Sequence, residues 1–426
     1  MSVSTARVVL FVIVLLLTIV ALVGISVASG AADMTVSDSY SSILRKLFPD
    51  RFESEYIFIY DDVPGSDSDR LLNYLHAEYG IDWAEDAQIS KSDDGRTIDI
   101  FNGENSAKIT LDEMDSGKAW LKIEGGKSDN LEVKEKNGEM KIHESTWLVD
   151  VCVWNLRLPR VLLAILAGIS LGASGAIMQW ALKNPIASPY TLGISSSAGI
   201  GGSLAILAGA GIVGGKYLIM GAAFVSALIA TAIILYISRR NWATPVLVVL
   251  IGIALVILSS PVMTILRYFG EAEAMKEAVF WMVGDLNRAS WDVLAYMAGT
   301  IVLCVILLLL PIVLPPLFGA DGRRTRTYAM VVASLLVAIT VCFTGTIGFI
   351  GLLTPHICRL VIGDYQRFVI PVSGLVGAVL LLGLDLVAKT VISPVVLPVG
   401  VLTLWMGVPL LVYLIVREGI KEMGLT

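Results

Sequence analysis

Charge is missing from most of this chain. The windows 8–28, 161–182, 184–215, 217–238, 241–266, 293–320, 327–358 and 390–416 hold no Asp, Glu, Lys or Arg, and 368–388 holds only Asp385. A bilayer crossing needs roughly 20 apolar residues, and the composition is 56% hydrophobic against about 45–50% for soluble globules. A soluble multidomain enzyme is therefore excluded. Reactive side chains are also few. Cys152, Cys304, Cys342 and Cys358 are scattered, form no CxxC and lie in or beside apolar runs, which excludes a disulfide framework and leaves them as small core residues. His76 and His143 are isolated, there is no HExxH, and no metal-ligand spacing appears. "GAGIVGGKY" (209–217) fails as a phosphate-binding loop, because Ala210 replaces the first Gly and Tyr217 the Ser or Thr. "GISSS" (193–197) lacks the last Gly of a nucleophile elbow. No catalytic residue is assigned. An ionisable group inside a span is a functional candidate by default, and only Asp385 qualifies. A proton-coupled carrier would need more such groups, so a partner must supply the energy for any transport.

What charge exists is unevenly placed. Residues 31–150 carry 27 acidic and 13 basic side chains, while the remainder has a net charge of +8. An acidic segment of this kind argues against nucleic acid as a partner. The first apolar run, 21 residues, exceeds the roughly 7–15 of a signal-peptide core, so it is read as an uncleaved span. The run 327–358 is long enough for two passes, which brings the count to ten. With the N-terminus in the cytoplasm, the inner loops and tail carry Arg7, Lys183, Arg239, Arg240, Arg323, Arg324, Arg326, Arg359, Arg367, Arg417 and Lys421; the short outer loops carry seven basic residues. That bias fits the positive-inside rule. The chain is thus expected to be an all-α polytopic plasma-membrane protein of about ten transmembrane helices, both termini cytoplasmic. A small extracytoplasmic α/β domain, residues 31–147, is inserted between the first helix (1–30) and a membrane core (148–426) of about nine further helices. In that domain "DRLLNYLHAEYG" (69–80) has helical apolar spacing with Gly80 as a stop. "EYIFIY", "RTIDIF", "SAKITL", "KAWLKIE", "LEVKE" and "EMKIH" read as strands of an antiparallel sheet. "EAEAMKEAVF" (271–280) reads as a short amphipathic helix on the outer side.

Three ordered blocks carry more information. "RLPRVLLAILAGISLGASGAIMQWALKNPIASPYTLGISSSAG" spans 157–199, "GTIGFIGLLTPHICRLVIG" spans 345–363 and "LPVGVLTLWMGVPLLVYLI" spans 397–415. Together they resemble the ferric-siderophore and cobalamin permease family of ABC importers, strongly over 146–420 and weakly over 1–45. The resemblance implies ten helices per subunit, a second permease subunit (a homodimer), ATP-binding subunits inside and a substrate-binding protein outside, with membrane lipid around the helices. ATP and Mg would sit on the partner, and this chain would bind no cofactor. It also implies that Arg157, Arg160 and Lys389 face outward to dock the binding protein. Lys183, Asn184, Pro185, Pro189, Asp321 and Arg359 would lie on ATPase-side loops. Thr244, Gln179 and Gly252 would belong to the pathway and its gate, and Gly345, Gly348, Gly351, Pro355 and His356 to a helix break. His356 is expected to make a hydrogen bond rather than hold a metal.

The sequence departs from that family in places. The cytoplasmic helix pair that follows span six in typical members is nearly absent around "LPPLFGADGRRTRTYAM" (314–330). Val396 replaces a usual Glu, Tyr365-Gln366 a usual Asp-His, and the outer domain has no counterpart. The expected function is import of an iron-siderophore, haem or cobalamin-type chelate. The alternative is an extracytoplasmic ligand sensor built on a degenerate permease, which the shortened loop favours.

Overall fold

The computed structural model describes the chain apart from residues 1–4, 31–33, 49–55, 64, 81–86, 104, 113–116, 124–127, 137, 210–214, 241, 270–271, 314–321, 393–394 and 423–426. Asp321 and most of the shortened loop lie outside the described residues. The chain separates into two compact units. One is Ser37–Val153; the other joins Met1–Val36 to Trp154–Thr426.

After the first helix, α1 (Thr5–Ala28), and α2 (Val36–Leu47), the smaller unit builds a seven-stranded antiparallel sheet. Its strands are β1 (Phe58–Ile59), β2 (Gln88–Lys91), β3 (Thr97–Phe101), β4 (Ser106–Leu111), β5 (Lys118–Ile123), β6 (Ser128–Lys136) and β7 (Glu139–Glu144). Strands β2 to β7 are neighbours in chain order, and β1 closes on β7 with Phe58 opposite Ile142. Period-2 alternation sets the buried face: in β5, Ala119, Leu121 and Ile123 are buried while Lys118, Trp120 and Lys122 are exposed. Helix α3 (Ser68–Tyr79) contributes Leu71 and Leu75 to this core. It stops at Gly80, whose left-handed φ of 67° lets its N–H return to the His76 carbonyl. Three elements differ from the sequence expectation. "EYIFIY" pairs over only two residues, and β2 and α2 form where no element was read. Helix α2 is fastened to the short helix α4 (Trp147–Val151): Ser42 Oγ donates to Asp150 Oδ1 at 2.6 Å, and Arg45 lies 3.1 Å from the same oxygen.

The larger unit is helical. It comprises α1 and then α5 (Leu158–Leu182), α6 (Ile194–Leu207), α7 (Gly215–Ser238), α8 (Pro245–Phe269), α9 (Ala272–Val283), α10 (Trp291–Val313), α11 (Gly322–Thr344), α12 (Ile350–Ile362), α13 (Gln366–Thr390) and α14 (Val399–Glu422). Seven described helices are long and apolar enough to cross a membrane, which makes this a multi-pass membrane protein. Helices α6 and α12 are shorter: 14 and 13 residues at 1.5 Å each rise only about 20 Å, less than the hydrocarbon core of about 30 Å. They arise where the runs 184–215 and 327–358 are broken by Gly and Pro. Helix α5 is the centre and packs on α11, α12 and α13. Its small residues make this possible. A Cβ on Gly168 would sit 2.4 Å from the Gly377 carbonyl oxygen, one on Gly172 2.2 Å from that of Ser373, and one on Gly175 1.8 Å from that of Gly351. Close backbone approach of this kind lets dispersion forces hold helices together in lipid, where no hydrophobic drive acts between them. Helix α1, by contrast, is 17% buried over its apolar window and packs along one stripe, Val8 and Leu15, against α13. Helix α9 covers residues 272–280 of the amphipathic stretch: Ala278 is buried and its carbonyl meets Ser203 Oγ of α6 at 3.4 Å, while Lys276, Glu277 and Phe280 are exposed.

Candidate functional site

The C-terminal end of α5 opens into a shaped loop. Lys183 ends the helix in a left-handed conformation, φ 49°, uncommon for a residue with a Cβ. Beyond it the loop bonds to itself. Asn184 Oδ1 accepts from the Ile186 N–H at 3.0 Å, and Thr191 Oγ1 accepts from the Ser188 N–H at 2.9 Å. The Thr191 N–H donates to Ser188 Oγ at 3.1 Å. Pro185 and Pro189 remove two donors that would otherwise need partners. Ala187, Ser188 and Pro189 are buried, whereas Lys183, Pro185 and Ile186 project. Two glycines seat the loop. A Cβ on Gly252 of α8 would lie 2.3 Å from the Thr191 carbonyl oxygen, and one on Gly351 of α12 2.8 Å from Pro189 Cδ. Gln179 is buried at 3% exposure. Its Nε2 donates to the Leu352 carbonyl at 3.4 Å, and its Oε1 accepts from Arg359 Nη1 at 2.5 Å. Arg359 Nε also bonds Asp364 at 2.8 Å. The structure therefore brings together Gln179, the 183–193 loop, Gly252, Gly351 and Arg359. Thr244 caps α8, accepting from the Leu247 N–H at 3.2 Å, and is exposed.

The helix break lies between α11 and α12. Gly345 has φ 70°, and a Cβ there would meet the Trp281 carbonyl oxygen at 2.3 Å. Gly284 has φ 81° and meets the Thr346 carbonyl; Gly400 meets the Val283 carbonyl at 1.5 Å. Three chain breaks, at 281–285, 344–348 and 398–400, thus interlock through backbone that only glycine admits. Phe349 starts α12 with φ 62°, and its ring lies 6.0 Å from that of Tyr190 and against Gly407. Gly348 packs beside Tyr190 and Leu404. Pro355 cannot donate to the Gly351 carbonyl, the same oxygen that touches Gly175. His356 Nδ1 pairs with the Leu352 carbonyl at 2.9 Å. No group of three or more His, Cys, Asp or Glu placed to hold a metal occurs among the described residues.

The opposite end of α5, about 37 Å away at 1.5 Å per residue over 25 residues, holds an ion cluster. Arg160 and Lys389 are both buried around Asp385, itself fully buried. Arg160 Nε donates to Asp385 Oδ1 at 2.8 Å, and its Nη2 lies 2.7 Å from the same oxygen as a charge contact without hydrogen-bond alignment. Lys389 Nζ lies 2.9 Å from Asp385 Oδ2 and donates to Ser26 Oγ at 2.8 Å. Arg160 Nη1 also reaches Asn287 Oδ1. Arg157 Nη1 donates to the carbonyls of Val27 and Ala28 at 2.8 and 2.7 Å. A helix C-terminus leaves carbonyls unsatisfied and carries partial negative charge. Cations at 157 and 389 answer both needs at the end of α1. Their physical role here is a latch joining α1, α5 and α13.

Residues 133–312 and 316–417 match the profile of the FecCD transport family. The chain belongs to the FecCD transport family. A Methanocaldococcus jannaschii protein named as an ABC transporter permease, MJ0087, is 38% identical over 288 residues, 63% of this chain and 82% of that one. The vitamin B12 import system permease protein BtuC of Klebsiella pneumoniae is 37% identical over 293 residues, 66% of this chain and 88% of its own. Among solved structures, one described as an inward-facing, metal-chelate type ABC transporter aligns with TM-score 0.56 and 28% identity, over 63% of this chain and 89% of that one. This FecCD chain is accordingly the permease subunit of an ABC importer of the FecCD and BtuC type.

In this FecCD permease, sequence reasoning found the loop, the glycines and the break. It missed Asp385 and Asn287 as the partners of Arg160, and Asn287 lies 127 residues away. The one local signal for the latch was Asp385 and Lys389 at i and i+4 on a single helix. Phe349 and Tyr190 also escaped notice, since a left-handed phenylalanine has no signature in the sequence.

Proposed function

We propose that this permease carries an iron-siderophore, haem or cobalamin-type chelate inward, as a homodimer driven by separate ATP-binding subunits and supplied by a substrate-binding protein. ATP and Mg are handled on the partner chain. In this reading the helical unit makes ten passes, α6 and α12 being the two broken ones, with both termini in the cytoplasm and residues 31–147 outside. Irregular backbone at membrane depth is tolerated only where protein or a water-filled cavity satisfies it, so the interlocked breaks at 281–285, 344–348 and 398–400 border the pathway. The observation that carries the reading is the self-bonded 183–193 loop. It is seated by Gly252 and Gly351 and projects Lys183, Pro185 and Ile186, a rigid surface for an ATPase to push against. Arg359, tied to Gln179 and Asp364, passes that movement to α5 and α12. Because Arg160 and Lys389 are latched inward, docking of the binding protein falls to the Ser37–Val153 unit.

The test is purification of the full chain with its cognate ATPase subunit, followed by uptake in vesicles. Stable 2:2 assembly and ATP-dependent accumulation of a corrinoid or ferric chelate are expected. Ligand binding without transport, in an assembly that still hydrolyses ATP, would sink the importer reading in favour of a sensor.

A further inference from the structure

Among the described residues, two that are not glycine hold a left-handed backbone: Lys183 at the root of the 183–193 loop and Phe349 at the start of α12. For a bulky side chain that conformation is an outlier, and it persists only where the surroundings over-determine it. At Phe349 they do. Its carbonyl accepts from the N–H groups of Leu352 and Leu353 at 3.0 and 2.9 Å, opening the helix. Its ring packs on Tyr190, with centroids 6.0 Å and planes 31° apart, and on Gly407 of α14, where any Cβ would strike it. Gly400, Thr403 and Gly407 follow one another at i, i+3 and i+7, a stripe of small residues on one face of α14. Gly400 and Gly407 both lie against the break. Every residue from Thr340 to Pro355 is buried except Phe349, which is half-buried. A large apolar ring is the side chain such a segment should hide first. This one keeps accessible surface, and so does Tyr190. The 13 residues of α12 place Phe349 about 20 Å from the far end of that helix, beyond which Asp364 and Arg367 are exposed. That depth lies inside a hydrocarbon core of about 30 Å. The side chains gathered here, Tyr190, Phe349 and Leu404, carry no charge, and an apolar constriction blocks a pore by dewetting.

We propose that Phe349 is a gate residue of this permease: with Tyr190 it closes the pathway at the helix break, and withdrawal of Tyr190 with the 183–193 loop frees the ring to swing clear. The inference rests on the importer reading for the existence of a pathway. The left-handed backbone opposes the closed position, so the ring is held there by its neighbours and not by its own preference. Tyr190 belongs to a loop that bonds to itself on both sides of it, through Asn184, Ser188 and Thr191. A push on the projecting residues of that loop therefore reaches the seal without an intervening helix.

The full-length chain, alone in lipid vesicles loaded with carboxyfluorescein, is compared with Phe349→Ala, Phe349→Leu, Tyr190→Ala and the double variant F349A/Y190A. Dye efflux reads the seal, thermal unfolding reads the fold, and size-exclusion chromatography reads the oligomer. Wild-type vesicles should be tight. Phe349→Ala should speed efflux at least about tenfold, which corresponds to about 1.4 kcal/mol of lost barrier. Phe349→Leu should restore most of the seal. Tyr190→Ala, at a half-buried loop position, should leak less than Phe349→Ala, and the double variant no more than Phe349→Ala, since both rings serve one seal. Phe349→Gly removes the ring but suits the left-handed backbone, so it should melt about 2–4 °C above Phe349→Ala. Tight vesicles with a folded Phe349→Ala overturn the proposal whatever uptake shows. Tight vesicles with a lost oligomer also overturn it and make the ring a subunit contact. A wild type as leaky as Phe349→Ala overturns it too, and Phe349→Ala melting above Phe349→Gly overturns the strained backbone. Efflux needs neither ATPase nor chelate. Failed uptake by wild type beside a leaky Phe349→Ala would therefore sink the importer reading and leave the seal standing.

Discussion

The latch at the N-terminal end of α5 invites a direct perturbation, Asp385→Asn. The side chains of Arg160, Asp385 and Lys389 are 8%, 0% and 7% exposed, so water screens none of them appreciably. The wild-type cluster holds two cations on one anion. The substitution keeps shape and volume but leaves both cations in a buried site with an amide between them. Removing one partner of a buried ion pair costs about 3–5 kcal/mol, mostly as the penalty of the uncompensated charge. At about 2 °C per kcal/mol for a chain larger than a small domain, the melting temperature in detergent should fall by about 6–10 °C. A second variant separates mechanism from generic damage. Asp385→Asn combined with Lys389→Met removes one of the stranded cations, so the double variant should melt above the single one. A coupling of about 1–3 kcal/mol is expected for residues in one network. If Asp385→Asn melts within about 2 °C of wild type, less than about 1 kcal/mol by the same conversion, water reaches the site and the argument from burial is wrong. If the double variant melts below the single, the two cations are not repelling each other.

Three further outcomes are expected. Gly175→Ala places a Cβ 1.8 Å from the Gly351 carbonyl oxygen and should cost about 1–3 kcal/mol through overpacking, whereas Gly221→Ala meets nothing within 4 Å and should be neutral or stabilising in the same melt. Arg359→Ala loses its bonds to Gln179 and Asp364 and should reduce ATPase retained on co-purification about tenfold, equivalent to about 1.4 kcal/mol, with Arg359→Lys recovering part of it. The Tyr60 phenol is pushed up from 10.0 to about 12 by burial first, then by the carboxylates of Asp94 and Asp61. A raised phenol favours the neutral form in the fold, so its contribution is complete below pH 10.0 and lost as pH climbs toward about 12. Tyr60→Phe should therefore delete one late phenolate from an alkaline absorbance titration and delay alkaline unfolding.

The helices were legible because lipid imposes composition. A span that cannot hydrogen-bond to its solvent must be apolar and internally paired, and that demand is written in runs such as 217–238. The close contacts of Gly168, Gly172 and Gly175 were legible for the same reason: few other signals place small residues so regularly in an apolar run. The 183–193 loop announced itself through Asn184, Pro185 and Pro189. The latch did not, because Arg160 and Asp385 are 225 residues apart and nothing local records a pairing over that separation. The sheet was readable where alternation is strict, as in β5. At "EYIFIY" a strand forms as expected, with Phe58 and Ile59 paired to β7, while "QISK" went unread because it is too short and polar to signal a strand.

The topology of the smaller unit bears on how such a chain arose. Its first strand pairs with its last, and its first helix is bonded to its last through Ser42, Arg45 and Asp150. Entry and exit of the polypeptide are therefore side by side, the geometry in which one domain can be spliced into a loop of another without prising its ends apart. The unit is a cassette. A host gene could acquire or discard it in a single recombination event, and a short Gly/Ser bridge from residue 36 to residue 154 should leave the helical unit able to fold without it.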